Sequence, residues 1–497
     1  MAVVEGLVVA LVALAIAPGR AFYFDVTPKS LALLAGTAVL VILAARRKEL
    51  PPAPRLFTAL LLPMAASLAL STAFSLHRSL SLYGSSWRGL GAVAQGAILL
   101  FAWLAAREAN ARIVLWAVAI SAVPAAAFGT MGDSRSLAVW LAMSVFLSLA
   151  LARAETRRLW RVAARAASAF SFAALIVICV RDAPWRGDQL QLWRDTVSMA
   201  AQRPLAGYGP EVFLGEFPHY ESRALARAYP DAIYESPHNA FLDILAAQGV
   251  PGLLLLCVLC AAGLVSAWKR KDVWIEAALA AGIVGLQFAP FFMPTALLFF
   301  TTAALAVQLE KPAESRPSPV FAAVAPFLVL ACLYVVLRLA MADRELVVTR
   351  HLLDAHDLRA ATAEYEVYWF WRLPGASADI WYSRSWLEVA QLADNSSVRD
   401  QAVTIAEQAA WRATENAEEP FLAWYNLGEV AIFEGDAADA ERDLRLAISA
   451  HPNWYLPHRL LARQLLRQAR LAEAQKEAAL AAGLAGGNAR KAPPDAH

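Results

Sequence analysis

Ser236-Pro237-His238-Asn239-Ala240-Phe241-Leu242-Asp243-Ile244-Leu245-Ala246-Ala247-Gln248-Gly249-Val250-Pro251-Gly252-Leu253 carries the chain from a polar loop into a hydrophobic run. A histidine at the edge of such a run is costly to keep there and is suspected of function by default. The run itself, near 250 to 267, is long enough for a bilayer core of about 30 Å once tilt is allowed.

Ten more runs of this kind lie near 2 to 18, 29 to 45, 56 to 75, 89 to 106, 111 to 128, 136 to 152, 166 to 180, 274 to 290, 294 to 309 and 320 to 341. Hydrophobic residues make up 59% of the 497 and charged residues 17%, with a mean hydropathy of +0.46. That balance excludes a water-soluble domain of this length and predicts an all-α, polytopic membrane helical bundle of about 11 spans. The first run has no basic segment before it, carries Glu5, and is followed by Pro18-Gly19-Arg20, so it reads as a retained helix and not a cleaved signal.

The net charge of +2 gives no sign of a nucleic-acid partner, yet it hides a strong segregation. With the N-terminus inside, the inner connections carry Arg46-Arg47-Lys48 with Arg55, then Arg107 with Arg112, then Arg153, Arg157, Arg158, Arg161 and Arg165. Lys269-Arg270-Lys271 and Lys311 with Arg316 follow on later inner connections. The outer connections are poorer in Lys and Arg, as the positive-inside rule requires. The loop from about 181 to 249 and everything after about 341 are therefore expected on the outer face.

Cys179, Cys257, Cys260 and Cys332 all fall in apolar runs, so Cys257-x-x-Cys260 reads as small apolar residues and not as a redox or zinc pair. Beyond the last run the pattern turns to amphipathic helix. Trp424, Leu427, Gly428, Ala431, Gly435, Ala440, Leu444, Ala447, Ile448 and Pro452 follow tetratricopeptide spacing, and Leu461, Ala474 and Ala481 repeat Leu427, Ala440 and Ala447 thirty-four residues on. Ala402, Ala406 and Ala409, and Ala361 with Tyr365, mark two degenerate copies upstream. The predicted organisation is a membrane domain over 1–341, a soluble α-solenoid of tetratricopeptide-like repeats over 342–485, and a disordered tail over 486–497. Such an array binds a protein partner or merely caps the membrane domain.

Three segments of the outer face carry chemistry. Ser236 suits a helix N-cap, Pro237 the first helical position, and Gly249 a helix end. His238 is then expected in the first turn, on one face with Phe241, Leu242 and Leu245, where a histidine is either functional or a hydrogen-bonded structural residue. The second segment is a helix carrying Trp193, Arg194, Val197 and Ala200, followed by the turn Arg203-Pro204-Leu205-Ala206-Gly207-Tyr208-Gly209-Pro210. A solvated face is the plain alternative for Arg194. Ser134-Arg135 at the mouth of the sixth run is the third, with an interfacial anchor as its alternative.

Together these segments resemble the O-antigen ligase and O-antigen polymerase superfamily of bacterial envelope glycosyltransferases, over roughly residues 90 to 310. His238-Asn239, nine intervening residues, and Gly249-Val250-Pro251-Gly252 follow the family's His-Asn-x9-Gly-x-x-Gly pattern without a gap. Arg194 with the Arg203–Pro210 turn, and Ser134-Arg135, are similar to the segments that precede it. About five spans before the Ser-Arg segment, and a compact linker from Arg135 to Arg194, depart from the family pattern.

The resemblance implies a bundle of the GT-C type in the bacterial inner membrane, with a cytoplasmic N-terminus and periplasmic or extracellular repeats. It implies transfer of a glycan from undecaprenyl diphosphate to a hydroxyl of a lipid, glycan or protein acceptor, without metal, nucleotide sugar or other cofactor. Guanidinium groups stay charged and bind phosphate oxygens bidentately, so Arg135 and Arg194 are assigned to the diphosphate. His238 is either the base for the acceptor hydroxyl or a donor to phosphate. Asn239, Arg203 and Tyr208 complete the substrate-binding set. The charge-derived topology puts Arg135, Arg194 and His238 on one side of the membrane independently of the motif. Polymerase and protein O-oligosaccharyltransferase activities would use the same residues, whereas a silent scaffold or exporter would use only the repeats.

Overall fold

Each of the eleven apolar runs forms a helix in a computed structural model, which describes residues 1–47, 51–107, 111–182, 189–308 and 319–486. No strand occurs among the described residues. Six helices are long and apolar enough to cross a membrane: Thr27–Arg46, Arg55–Ala73, Ser134–Ala154, Arg158–Arg181, Ala240–Lys269 and Pro319–Asp354. Ala2–Leu14, Ala92–Ala105, Arg112–Phe128, Val273–Gly285 and Met293–Val307 are shorter. At the usual helical rise, the 15 residues of Met293–Val307 reach only about 22 Å. Every one of them is buried, so its ends meet protein and not hydrocarbon.

The chain divides into two compact units. Met1–Trp185, Pro204–Glu211 and His238–Leu373 form the first. Its core gathers Phe57, Phe101, Trp140 and Phe299, all fully buried, along the central Met293–Val307 helix. Arg158–Arg181 and Pro319–Asp354 are only 17% buried over their apolar windows. Val180 and Phe327 on these helices are 78% and 73% exposed. So much outward apolar surface is stable against lipid tails and not against water. Pro319–Asp354 is one continuous helix, so the boundary expected at 341/342 falls inside it, and the first unit runs on to Leu373.

The second unit comprises Arg186–Arg203, Val212–Pro237 and Pro374–His497. Asp379–Leu392 pairs with Ser396–Asn416, Pro420–Glu434 with Ala437–Ala450, and Tyr455–Arg467 with Leu471–Leu484. The hairpin turns follow from sequence. Gly435 closes one helix at φ 84°, and Asp436 opens the next by accepting from the amides of Ala438 and Asp439 at 2.9 and 3.0 Å. Ala437 and Leu471 open helices thirty-four positions apart, and the repeating pairs Leu427 and Leu461, Ala440 and Ala474, and Ala447 and Ala481 are all buried.

The loop expected as one excursion from 181 to 249 is divided instead. Residues 212–237 are built into the second unit: Glu221 Oε2 meets His451 Nε2 at 2.7 Å, Asn453 Nδ2 donates to the Glu221 carbonyl at 2.6 Å, and Tyr455 donates to Asp231 at 2.8 Å. Asp195, on the helix Gln189–Ala200, accepts from the Ser222 amide at 3.0 Å. The tail from Gly487 onward, and Lys48, Lys311 and Arg316 of the charge pattern, lie outside the described residues.

Candidate functional site

The helix of the histidine motif begins later than its sequence suggests. Ala240–Lys269 is capped by Asn239, whose Oδ1 accepts from the amides of Phe241 and Leu242 at 2.9 and 3.1 Å. Ser236 and Pro237 are therefore not cap and first turn. His238 lies outside the helix at φ 48°, in the left-handed region that a β-carbon disfavours, so the surrounding structure must hold it there. Asn is as good a cap as Ser and sits directly before the apolar face, which is why it wins. The expectation that His238 shares a helical face with Phe241, Leu242 and Leu245 fails for the same reason.

Asn239, expected on the substrate, is buried and committed to structure. Beyond its cap bonds, its Nδ2 donates to Gln287 Oε1 at 3.3 Å. The Ala240 amide next to it donates to the Leu286 carbonyl at 2.9 Å, so the entry to the helix is tied to the end of Val273–Gly285.

Arg135 stands in the first turn of Ser134–Ala154, behind an Asp133 cap that accepts from the Ser136 amide at 2.7 Å. Its Nη1 is buried without a hydrogen-bond partner. His238 is partly buried, and desolvation first and the Arg135 charge second push its pKa from 6.5 down to about 4. The imidazole is thus neutral at pH 7, and Arg135 is close enough to be felt. These are the two predicted site residues that the first unit brings together.

The Pro204–Glu211 segment acts as a strap on the same helix. The amides of Tyr208 and Gly209 donate to the Ala246 and Ala247 carbonyls at 2.9 Å each, and the Val250 amide donates to the Pro204 carbonyl at 2.8 Å. Gly249 lies at φ 70° and breaks the helix there, where a β-carbon would approach the Pro204 carbonyl oxygen at 2.5 Å. Gly207, at φ 67°, faces the Ala247 carbonyl just as closely. The glycines serve close backbone packing, and the amides of Tyr208 and Gly209 are used by the helix and not offered to a phosphate. The Tyr208 side chain is 3% exposed.

Arg194 and Arg203 belong to the second unit. Arg194 is exposed on Gln189–Ala200, whose expected helix is present, and Arg203 is partly buried. Beside Arg194, Trp193 Nε1 donates to the Pro237 carbonyl at 3.0 Å. That bond anchors the residue immediately before His238.

Residues 78–257 match the family model described as O-antigen ligase. The match supports the O-antigen ligase superfamily, and with the apolar helices it supports an O-antigen ligase-type membrane glycosyltransferase acting on a lipid-linked glycan and an acceptor at a membrane. It takes in Arg135, Arg194, Arg203, Tyr208, His238 and Asn239. The curated proteins hold no match to the chain.

Within this O-antigen ligase-type region the structure also contains a charged group that sequence reasoning missed. Arg88 is 5% exposed and bridges Glu211 and Asp243. One signal was available: Asp243 is the only Asp, Glu, Lys or Arg between His238 and Lys269, and an acid in a spanning segment is a functional suspect by default. Nothing local marks Arg88 or Glu211 as its partners.

Proposed function

We propose that this protein transfers a glycan from undecaprenyl diphosphate to an acceptor hydroxyl, with His238 as general base and Arg135 and Arg194 on the diphosphate. The observation that carries the reading is a neutral imidazole beside an arginine whose Nη1 has no partner, inside the O-antigen ligase match. The acceptor oxygen attacks the anomeric carbon, its proton passes to His238, and the bond from that carbon to the diphosphate oxygen breaks. Charge then grows on the leaving diphosphate, which fixed guanidinium groups stabilise without reorganisation. A histidine already charged could not accept the proton, and the neutral ring keeps one nitrogen unprotonated, as the base role requires.

Arg194 is assigned through the resemblance, and its exposure on Gln189–Ala200 leaves it open to a ligand. Arg203 and Tyr208 remain weaker members of the substrate set. Asn239 is better explained as a cap. The reaction is assigned to the outer face of the bacterial inner membrane because the arginine-rich connections lie opposite, and it needs no metal in this scheme. The C-terminal hairpins are read as tetratricopeptide-like on their thirty-four-residue recurrence.

The deciding experiment replaces His238 with Ala in a strain without the chromosomal copy. Loss of mature surface glycan, accumulation of lipid-linked donor, and normal membrane levels of the variant are expected. Normal glycan from the variant would refute the base assignment. Glycan chain length separates the alternatives, since a polymerase defect leaves single units on the acceptor and a ligase defect leaves the acceptor bare.

A further inference from the structure

Arg88 carries a charge at only 5% exposure, which a protein tolerates only when the charge is partnered. Its Nε donates to Glu211 Oε1 at 2.7 Å and its Nη1 to Asp243 Oδ2 at 2.6 Å. The other Glu211 oxygen accepts from the Ser85 amide at 3.3 Å and from the Ser85 hydroxyl. The guanidinium also lies over the Trp87 ring at 4.7 Å, and Trp87 meets Phe292 edge-on at 5.6 Å. Burial opposes its charge, but Asp243 and Glu211 together outweigh burial and raise its pKa above the ordinary arginine value. Glu211 sits at φ 65°, another left-handed residue that only its surroundings can hold.

Both acids belong to the elements that fix His238. Asp243 is in the first turn of Ala240–Lys269, and Glu211 ends the strap that hydrogen-bonds the same helix at Ala246, Ala247 and Val250. We infer that Arg88 is a positioning residue for His238: by clamping Glu211 to Asp243 it joins strap to helix and fixes the turn from which the imidazole projects. This rests on the base role proposed for His238. Only a planar fork bridges two carboxylates in this way, and a lysine ammonium supplies the charge without the bridge. Direct contact between Arg88 and a glycan is disfavoured because the residue is 5% exposed and its Nε and Nη1 are already held by Glu211 and Asp243.

The test compares full-length wild type with Arg88→Lys, and with Glu211→Gln/Asp243→Asn as a pair of neutralised acids that removes the clamp differently. Hydrogen exchange is followed in detergent, and glycan transfer in cells, with membrane levels matched. In Arg88→Lys, exchange in peptides covering 204–211 and 238–250 should rise about tenfold while the central 293–307 peptide is unchanged. Glycan transfer should fall about 10- to 100-fold, the scale expected when a catalytic group is misplaced by about 1 Å. The paired variant should show the same local loosening and the same loss. Loss of transfer with wild-type exchange would mean that Arg88 meets substrate and would overturn the positioning role. Loosening without loss of transfer would overturn it as well. Should Arg88→Lys fail to reach the membrane, the paired variant decides by the same two readouts. His238→Ala is run in parallel: if it transfers normally, the base assignment fails, while the exchange data still report whether the clamp holds the helix.

Discussion

His238 is held neutral by burial and by one nearby arginine, and each cause predicts a separate behaviour. Between pH 6.5 and about 4 the unfolded chain binds the proton and the folded chain does not. The stability linked to this group is therefore complete above 6.5 and is lost as pH falls through about 4. Activity that depends on the neutral ring follows the folded value, so its acid limb due to His238 lies near 4 and not near 6.5. Arg135→Gln removes the charge that opposes protonation, so the limb should move upward, and donor binding should weaken with it. Transfer rates measured from pH 4 to 8 in both proteins check this; an unmoved limb would mean that Arg135 does not act on His238. The sequence showed the residue types. It did not show the left-handed backbone at His238, because nothing local in the sequence favours that conformation at a histidine.

At the scale of elements, the start of Ala240–Lys269 is the point where local signals competed. Ser236-Pro237 looks like a cap and first turn, yet Asn239 holds the cap bonds. Asn239→Ala should destabilise the protein by about 1 kcal/mol and lower transfer, whereas Asn239→Ser keeps a capping oxygen and should retain most of both. Thermal midpoints and surface glycan read the two effects. If Ser lowers transfer as much as Ala while the midpoint holds, the amide touches substrate after all. The eleven apolar helices were legible because a run of lipid-compatible residues is a local property. The short buried Met293–Val307 helix shows the limit: hydropathy does not distinguish a helix surrounded by protein from one surrounded by lipid.

At the scale of the molecule, the hairpins of the second unit do more than follow the membrane domain in sequence, because residues 212–237 are packed into them. The buried Glu221 and His451 pair is the centre of that packing, with Phe421 and Trp454 rings at 5.0 and 6.0 Å from the imidazole. His451→Ala leaves a buried carboxylate unpaired, at a cost of about 1–3 kcal/mol. Limited proteolysis of the full-length protein should then cut within 212–237 well before wild type does. Equal resistance would mean that the segment is held elsewhere. The repeat pattern predicted the hairpins and their buried alanines, but it offered no hint that part of the face has an occupant from the same chain.

Composition and the apolar runs determined an all-helical membrane protein, and the His-Asn-x9-Gly-x-x-Gly spacing its likeness to the O-antigen ligase family, since each is written in residues close together in sequence. Tertiary structure alone decided that Glu211 and Asp243 share Arg88, and that the segment before His238 belongs with the hairpins. Those contacts join residues 123, 155 and 230 positions apart. Nothing local favours one such partner over another, and only the packed chain brings the chosen ones within hydrogen-bond reach.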